Sequence, residues 1–221
     1  VLQEKLKADD SRIDINKIKE TDLSLPKLTG GYITKADKNE GSDTPAWYMD
    51  SYGWGQVNYI HEHPKPTTVK FQQNEYIKNE FEKLEVSASQ GNSSITSGYP
   101  SVIDIPSFVD FMILNELASN ADGYQFSTFF HKDRNGKLRA GPIWDFNLTF
   151  GNDLFDFGFD RSKTYLWQFE YENMGTKFWT DLFNDSVFKC YLTKRWKELI
   201  APGMPLNSYA ISNLIDTTKT L

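Results

Sequence analysis

Cysteine is almost missing from this chain: Cys190 is the single one in 221 residues. One thiol makes no intrachain disulfide and no cysteine cluster for zinc. Within the apolar run Val187, Phe188, Cys190, Tyr191 it reads as a small core residue. Long hydrophobic runs are missing too: none reaches the roughly eighteen residues that a membrane span requires. So is a basic surplus. Lys and Arg number 24 against 30 Asp and Glu, a net charge of −6, which excludes the general nucleic-acid binders. No internal repeat is found. Val1 carries no initiator Met and no leader pattern, and Leu221 falls inside the apolar spacing Tyr209, Ile211, Leu214, Ile215, which reads as an unfinished amphipathic helix. The expectation is a piece of a longer protein, shorn of any targeting segment. What is present is apolar and aromatic side chain, 39% and 15% of the residues. That suits one sizeable core and does not suit a disordered chain.

Punctuation and period divide the chain. Short strands and turns are expected over residues 1–40: Val1–Lys7, Arg12–Ile15 and Gly30–Lys35. Lys38–Asp43 holds only loop formers, and Gln56–Ile60 reads as a strand closed by Pro64 and Pro66, which lack the ladder donor. Phe71, Tyr76, Ile77, Phe81 and Leu84 recur at helical spacing, and Gly91–Ser101 reads as a surface loop. The strongest helix runs from Pro106 to Asn120, apolar nearly all round and therefore buried. Gly123 is the residue expected to take a left-handed turn at its end. Gln125–Lys132 and Leu138–Phe146 read as a hairpin about Asn135-Gly136. Two helices, near Thr176–Phe183 and Asp185–Ile200, follow an aromatic stretch.

If Asn135 and Gly136 are the two central turn residues, Asp145 lies opposite Phe126 and Asn147 opposite Tyr124. The two-residue side-chain period then puts Asp122, Tyr124, Phe126, Asp145 and Asn147 on one face. Asp122 and Asp145 would stand at the open end of one hairpin, about 13 Å apart or less. Protein kinases place their acids this way: a helix leads to a catalytic Asp, and a following hairpin delivers a metal-binding Asp. Asn147 has a hard carbonyl oxygen of the kind Mg²⁺ prefers. Spacing alone leaves other readings open. Asn120 and Asp122 could cap the helix, and Asp145 could pair with Arg139 or Arg161.

More specific are Glu116-Leu117, Asn120, Asp122, Tyr124, Ser127-Thr128 and Lys132-Asp133, followed by Gly141-Pro142, Trp144-Asp145-Phe146-Asn147 and Phe150-Gly151-Asn152. With Arg12-Ile13-Asp14-Ile15 and Gly30-Gly31-Tyr32-Ile33 ahead of them, these closely resemble the CotH (spore coat protein H) kinase family over nearly the whole chain. The resemblance implies an α+β, protein-kinase-like domain over residues 1–221. It would be a mostly helical C-terminal lobe whose hairpin carries the catalytic and metal-binding Asp residues, with the N-terminal β-rich part absent and the C-terminus cut short. It implies an atypical ATP-dependent kinase acting on Ser or Thr of protein substrates, with ATP and Mg²⁺ (or Mn²⁺) as cofactors. The catalytic Asp falls on Asp122 and the metal-binding Asp on Asp145, with Asn147 as a further metal ligand. Asn120, Trp144, Glu4 and Lys5 are candidates for the nucleotide pocket. Glu4, Lys5 and Lys35 read alternatively as exposed strand charges. Five residues past Asp122, where ordinary protein kinases carry a metal-binding Asn, this chain has Ser127. The family also suggests a cell-surface or spore-coat location. His61 and His63 share a strand face and are expected to be solvated beside a loop. A degenerate kinase-like surface binding or structural module is the competing reading.

Overall fold

Residues 6–41, 43–53, 55–152, 160, 161 and 163–219 are described by the computed structural model. Their elements run β1 (Tyr32–Ala36), β2 (Trp47–Asp50), β3 (Gln56–His63), α1 (Phe71–Ser89), α2 (Tyr99–Val102), α3 (Ile105–Ala118), β4 (Thr128–Lys132), β5 (Arg139–Ala140), α4 (Phe178–Asn184), α5 (Ser186–Ile200) and α6 (Ser208–Thr218). The five strands form one antiparallel sheet in the order β2-β3-β1-β4-β5. The class is α+β, as the sequence suggested. Among the described residues six α-helices stand beside the sheet, and residues 32–63 supply three of its five strands.

The period of two sorts β1 and β4 between two cores. Tyr32, Ala36 and Phe130 face the large one. There Phe81 of α1 sits edge-on to Tyr59 and Phe130 at 4.8 and 5.1 Å, and Trp179 of α4 stacks on Phe111 of α3 at 5.2 Å. Ile33 and Phe129 face the other way and pack with Ala8, Ile13, Ile15, Leu6 and Trp144. The N-terminal segment and the 141–147 segment thus share the sheet's outer face. Arg12–Ile15 is not a strand. Its one ladder contact is the bridge of Ile13 to Ala8.

The hairpin differs from its sequence reading. Phe130 pairs with Ala140 and His131 with Arg139, one residue out of the register that a two-residue Asn135-Gly136 turn sets. Tertiary contacts decide this. Leu138 N–H donates to Val102 O at 2.9 Å, and Asp104 N–H donates to Leu138 O at 2.8 Å, so Leu138 belongs to the α2–α3 junction. The Lys132 ammonium, buried beneath the loop, donates to Gly136 O and Thr29 O at 2.7 and 2.8 Å. After Gly141 N–H bonds Phe129 O at 2.7 Å, Pro142 has no donor and the ladder ends. Asp145 therefore does not face Phe126 across a strand pair.

Other expectations shift for similar reasons. His61 is buried, with Nε2 3.0 Å from Asn74 Oδ1, and burial lowers its pKa. It is not solvated beside a loop. Cys190 is exposed on α5, whose buried residue is Phe188. Among the described residues no helix is long and apolar enough to cross a membrane.

Candidate active site

Helix α3 aims the site. Asp104 caps its start, accepting from Ser107 N–H at 3.0 Å, and the all-round apolar sequence buries it between the sheet and α5. Its left-handed C-cap is Ser119, with φ 49°, and not Gly123. Gly123 answers a different need. A Cβ there would lie 2.5 Å from Asn115 Oδ1, so the loop after α3 can rest directly on Asn115. That amide is fully engaged: Nδ2 donates to Phe111 O and Oδ1 accepts from Asn120 Nδ2, both at 2.8 Å.

Among the described residues, the loop 119–127 and the segment 141–150 hold five of the seven non-glycine residues with left-handed backbone. Ser119, Tyr124, Ser127, Asp145 and Phe150 all have φ between 47° and 72°. Left-handed backbone at a residue with a side chain costs roughly 1–2 kcal/mol each, and such residues gather at functional sites. Long-range bonds hold them. Ala121 N–H donates to Leu148 O at 3.2 Å and Phe150 N–H to Ala118 O at 2.7 Å, so the two segments run side by side. Asn173 Nδ2 donates to Gly123 O at 2.8 Å, and Gln125 Oε1 accepts from Met174 N–H at 2.9 Å.

This lacing brings Asp122 and Asp145 into each other's field although the hairpin does not pair them. Asp122 is half-buried and its pKa is raised. Burial is the main cause, opposed by the Lys38 ammonium, reinforced by Asp145 and Asp37, and opposed again by Arg161. Asn147, exposed at the next turn, orients Asp145. With its amide placed to satisfy both ends, Nδ2 donates to Asp145 Oδ1 at 2.8 Å and to Asp145 O at 3.2 Å. Trp144 meets Phe129 edge-on at 6.3 Å and seats the segment on the outer face. Asn120 is buried behind Asp122, and its Oδ1 has no hydrogen-bond partner among the described residues. Glu4 and Lys5 lie outside the described residues.

Sequence reasoning weighed Lys35 beside Lys5 and named Arg161 as a partner for Asp145, but it missed Lys38 and the third acid, Asp37. Lys35 is the cross-strand partner of Phe129 and shares its face. Its ammonium, set half into the fold, bridges Asp43 at 2.7 Å and Asp37 at 3.2 Å. Burial works against its charge, but the two carboxylates prevail and raise its pKa. Asp37 also accepts from Ser127 N–H at 3.3 Å, tying the end of β1 to the loop of Asp122. The only local signal was Lys35 and Asp37 at i, i+2, on one strand face. Arg161, buried, donates to Gln168 Oε1, Tyr171 O and Glu172 O at 3.2, 2.9 and 3.2 Å.

No group of three or more His, Cys, Asp or Glu poised for a metal occurs among the described residues. One carboxylate, a neighbouring amide oxygen and nearby cations suit a hard ion held jointly with a polyphosphate, the habit of Mg²⁺. Among curated proteins and among solved structures, none matches the chain. The family model described as CotH kinase protein matches residues 7–221, so the chain belongs to the CotH kinase family.

Proposed function

We propose that residues 1–221 form part of one kinase-like domain that transfers the γ-phosphate of ATP to Ser or Thr hydroxyls of protein substrates, of the surface or spore-coat kind. The observation that carries the reading is that the laced 119–127 and 141–150 segments bring Asp122 and Asp145 into each other's field, the first with a raised pKa and the second held by Asn147. Asp145 and Asn147 would hold the divalent ion, which when bound offsets the charge of the phosphates. Lys35, on the same outer face as Trp144, is a cation for the phosphates in place of the undescribed Lys5. Asn120, behind Asp122, and Trp144, beside Asp145, support the nucleotide side.

Asp122 orients the acceptor hydroxyl and takes its proton as the oxygen attacks phosphorus. The bond from phosphorus to the bridging oxygen breaks, and ADP carries away that electron pair. A carboxylate made more basic by burial accepts this proton better at neutral pH, and the Lys38 charge keeps it ionised enough to do so. Asp122→Asn keeps size and capping ability and removes the base. Transfer of labelled γ-phosphate to a Ser-rich peptide should fall roughly 10²–10⁴-fold, with ATP affinity unchanged. Equal rates would exclude a base at Asp122 and favour the binding-module reading.

A further inference from the structure

Glu116, in the last turn of α3, carries a carboxylate that takes three donors, none of them from Asp122 or Asp145. Its Oε1 accepts from the Tyr124 hydroxyl at 2.7 Å and from Phe169 N–H at 3.3 Å, and its Oε2 accepts from Gln168 N–H at 2.7 Å. These donors belong to two different segments. Tyr124 is two residues past Asp122, has left-handed backbone, and is wholly buried among Phe111, Phe169 and Trp179. Gln168 and Phe169 belong to the segment that follows Arg161, and the Gln168 side chain accepts from Arg161 Nη1 at 3.2 Å. Arg161 in turn is one of the charges acting on Asp122. One carboxylate thus holds both the loop that presents Asp122 and the partner that brings a cation toward it.

We infer that Glu116 is a positioning residue for phosphotransfer, whose ionised carboxylate clamps the Asp122 loop to the Gln168–Phe169 segment and so sets Asp122 against Arg161. The inference rests on the kinase reading of Asp122. An ionised carboxylate is acceptor-only and matches three converging donors, whereas a carboxylic acid must itself place a proton on one of them. The surroundings make that protonation relevant. Glu116 lines an apolar cleft of about 310 Å³ with Met112, Ile113, Leu117, Trp167 and Trp196. Burial there pushes its carboxyl up to about 7, against the pull of the Gln168, Tyr124 and Phe169 donors. Glu170 is the charged group that adds to the rise. Helix α5 turns only Leu192, Thr193 and Trp196 to this cleft, none of which titrates.

The test compares wild type, Glu116→Gln and Tyr124→Phe in steady-state phosphotransfer across neutral pH. A Gln amide keeps one acceptor oxygen but turns an NH2 group toward the donors on the other side, so it cannot satisfy all three and the clamp is broken. For Glu116→Gln, kcat should fall about 10²-fold, the cost of slight misplacement of a reacting group, with KM for ATP within about twofold. The wild-type rise in kcat through about 7 should vanish in this variant. Tyr124→Phe, which removes one donor of three, should lose about tenfold in kcat. Hydrogen exchange gives a readout without turnover: the Gln168 and Phe169 amides should exchange at least about tenfold faster in Glu116→Gln, with those of α1 unchanged. A Glu116→Gln enzyme with wild-type kcat per folded molecule and a wild-type pH profile overturns the inference alone, even if its melting point drops. Wild-type protein with no transfer overturns the kinase reading and the inference with it.

Discussion

Gly123→Ala is the substitution whose cost the structure sets most directly. The backbone of Gly123 lies outside the left-handed region, so an alanine there meets no conformational penalty. It meets Asn115 instead, with Oδ1 at 2.5 Å, Cγ at 3.1 Å and the Asn120 carbonyl oxygen at 3.2 Å. Asn115 cannot swing aside cheaply, because it is buried and its amide bonds Phe111 O and Asn120 at 2.8 Å. Overpacking costs about 1–3 kcal/mol. Breaking the Asn115–Asn120 bond in a buried place costs about 1–3 kcal/mol more. The stiffer unfolded chain returns about 0.4–1 kcal/mol. The net loss should be about 3 kcal/mol, which for a chain of this size lowers the melting temperature by about 6–12 °C. Thermal unfolding followed by circular dichroism measures it. The cause is separable: with Asn115→Ala already in place the obstructing oxygen is gone. The second substitution should then cost about 1 kcal/mol or less, a coupling of about 2 kcal/mol between the sites. A melting point within about 2 °C of wild type, or strict additivity in the double variant, would refute the close-approach argument.

Two further outcomes follow from the site. Asn147→Ala frees the Asp145 carboxylate from its 2.8 Å donor and should weaken metal-dependent ATP binding about tenfold, as loss of an orienting partner does; calorimetry with unchanged affinity would remove Asn147 from the metal side. Glu116 also makes stability depend on pH. Its folded pKa, about 7, lies above the ordinary 4.5, so its contribution is fully present below the ordinary value and is lost as pH rises through about 7. The loss amounts to up to about 3 kcal/mol. Wild type should show a lower denaturant midpoint at slightly alkaline than at slightly acid pH, and Glu116→Gln should lack that slope. Parallel slopes in the two proteins would count against the buried-carboxyl account. The form of Glu116 that clamps the Asp122 loop is then the less stable form of the fold, a usual bargain at functional sites.

Local signals determined much of this protein. The all-round apolar run with Pro106 near its start fixed the long axis of the site as α3. Aromatic and β-branched residues marked β1, β3 and β4. The succession Asn120, Asp122, Trp144, Asp145, Asn147 was enough to indicate the family. Tertiary structure decided the rest, because side-chain period reports which face a residue is on and not what lies across from it. Leu138 is drawn to Val102 and Asp104, and that non-local pairing, invisible in the Asn135-Gly136 turn, moved the hairpin register by one and ended the ladder before Asp145. Phe188 took the buried side of α5 and left Cys190 in solvent, although both sit in one apolar run. Asp37 and Lys38 come from the end of β1 to reach the loop of Asp122, and Gln168 comes from far beyond it to reach Glu116. Charge and burial act through space at those meetings, so the raised pKa values of Asp122 and Glu116 belong to the packed chain and to no stretch of its sequence.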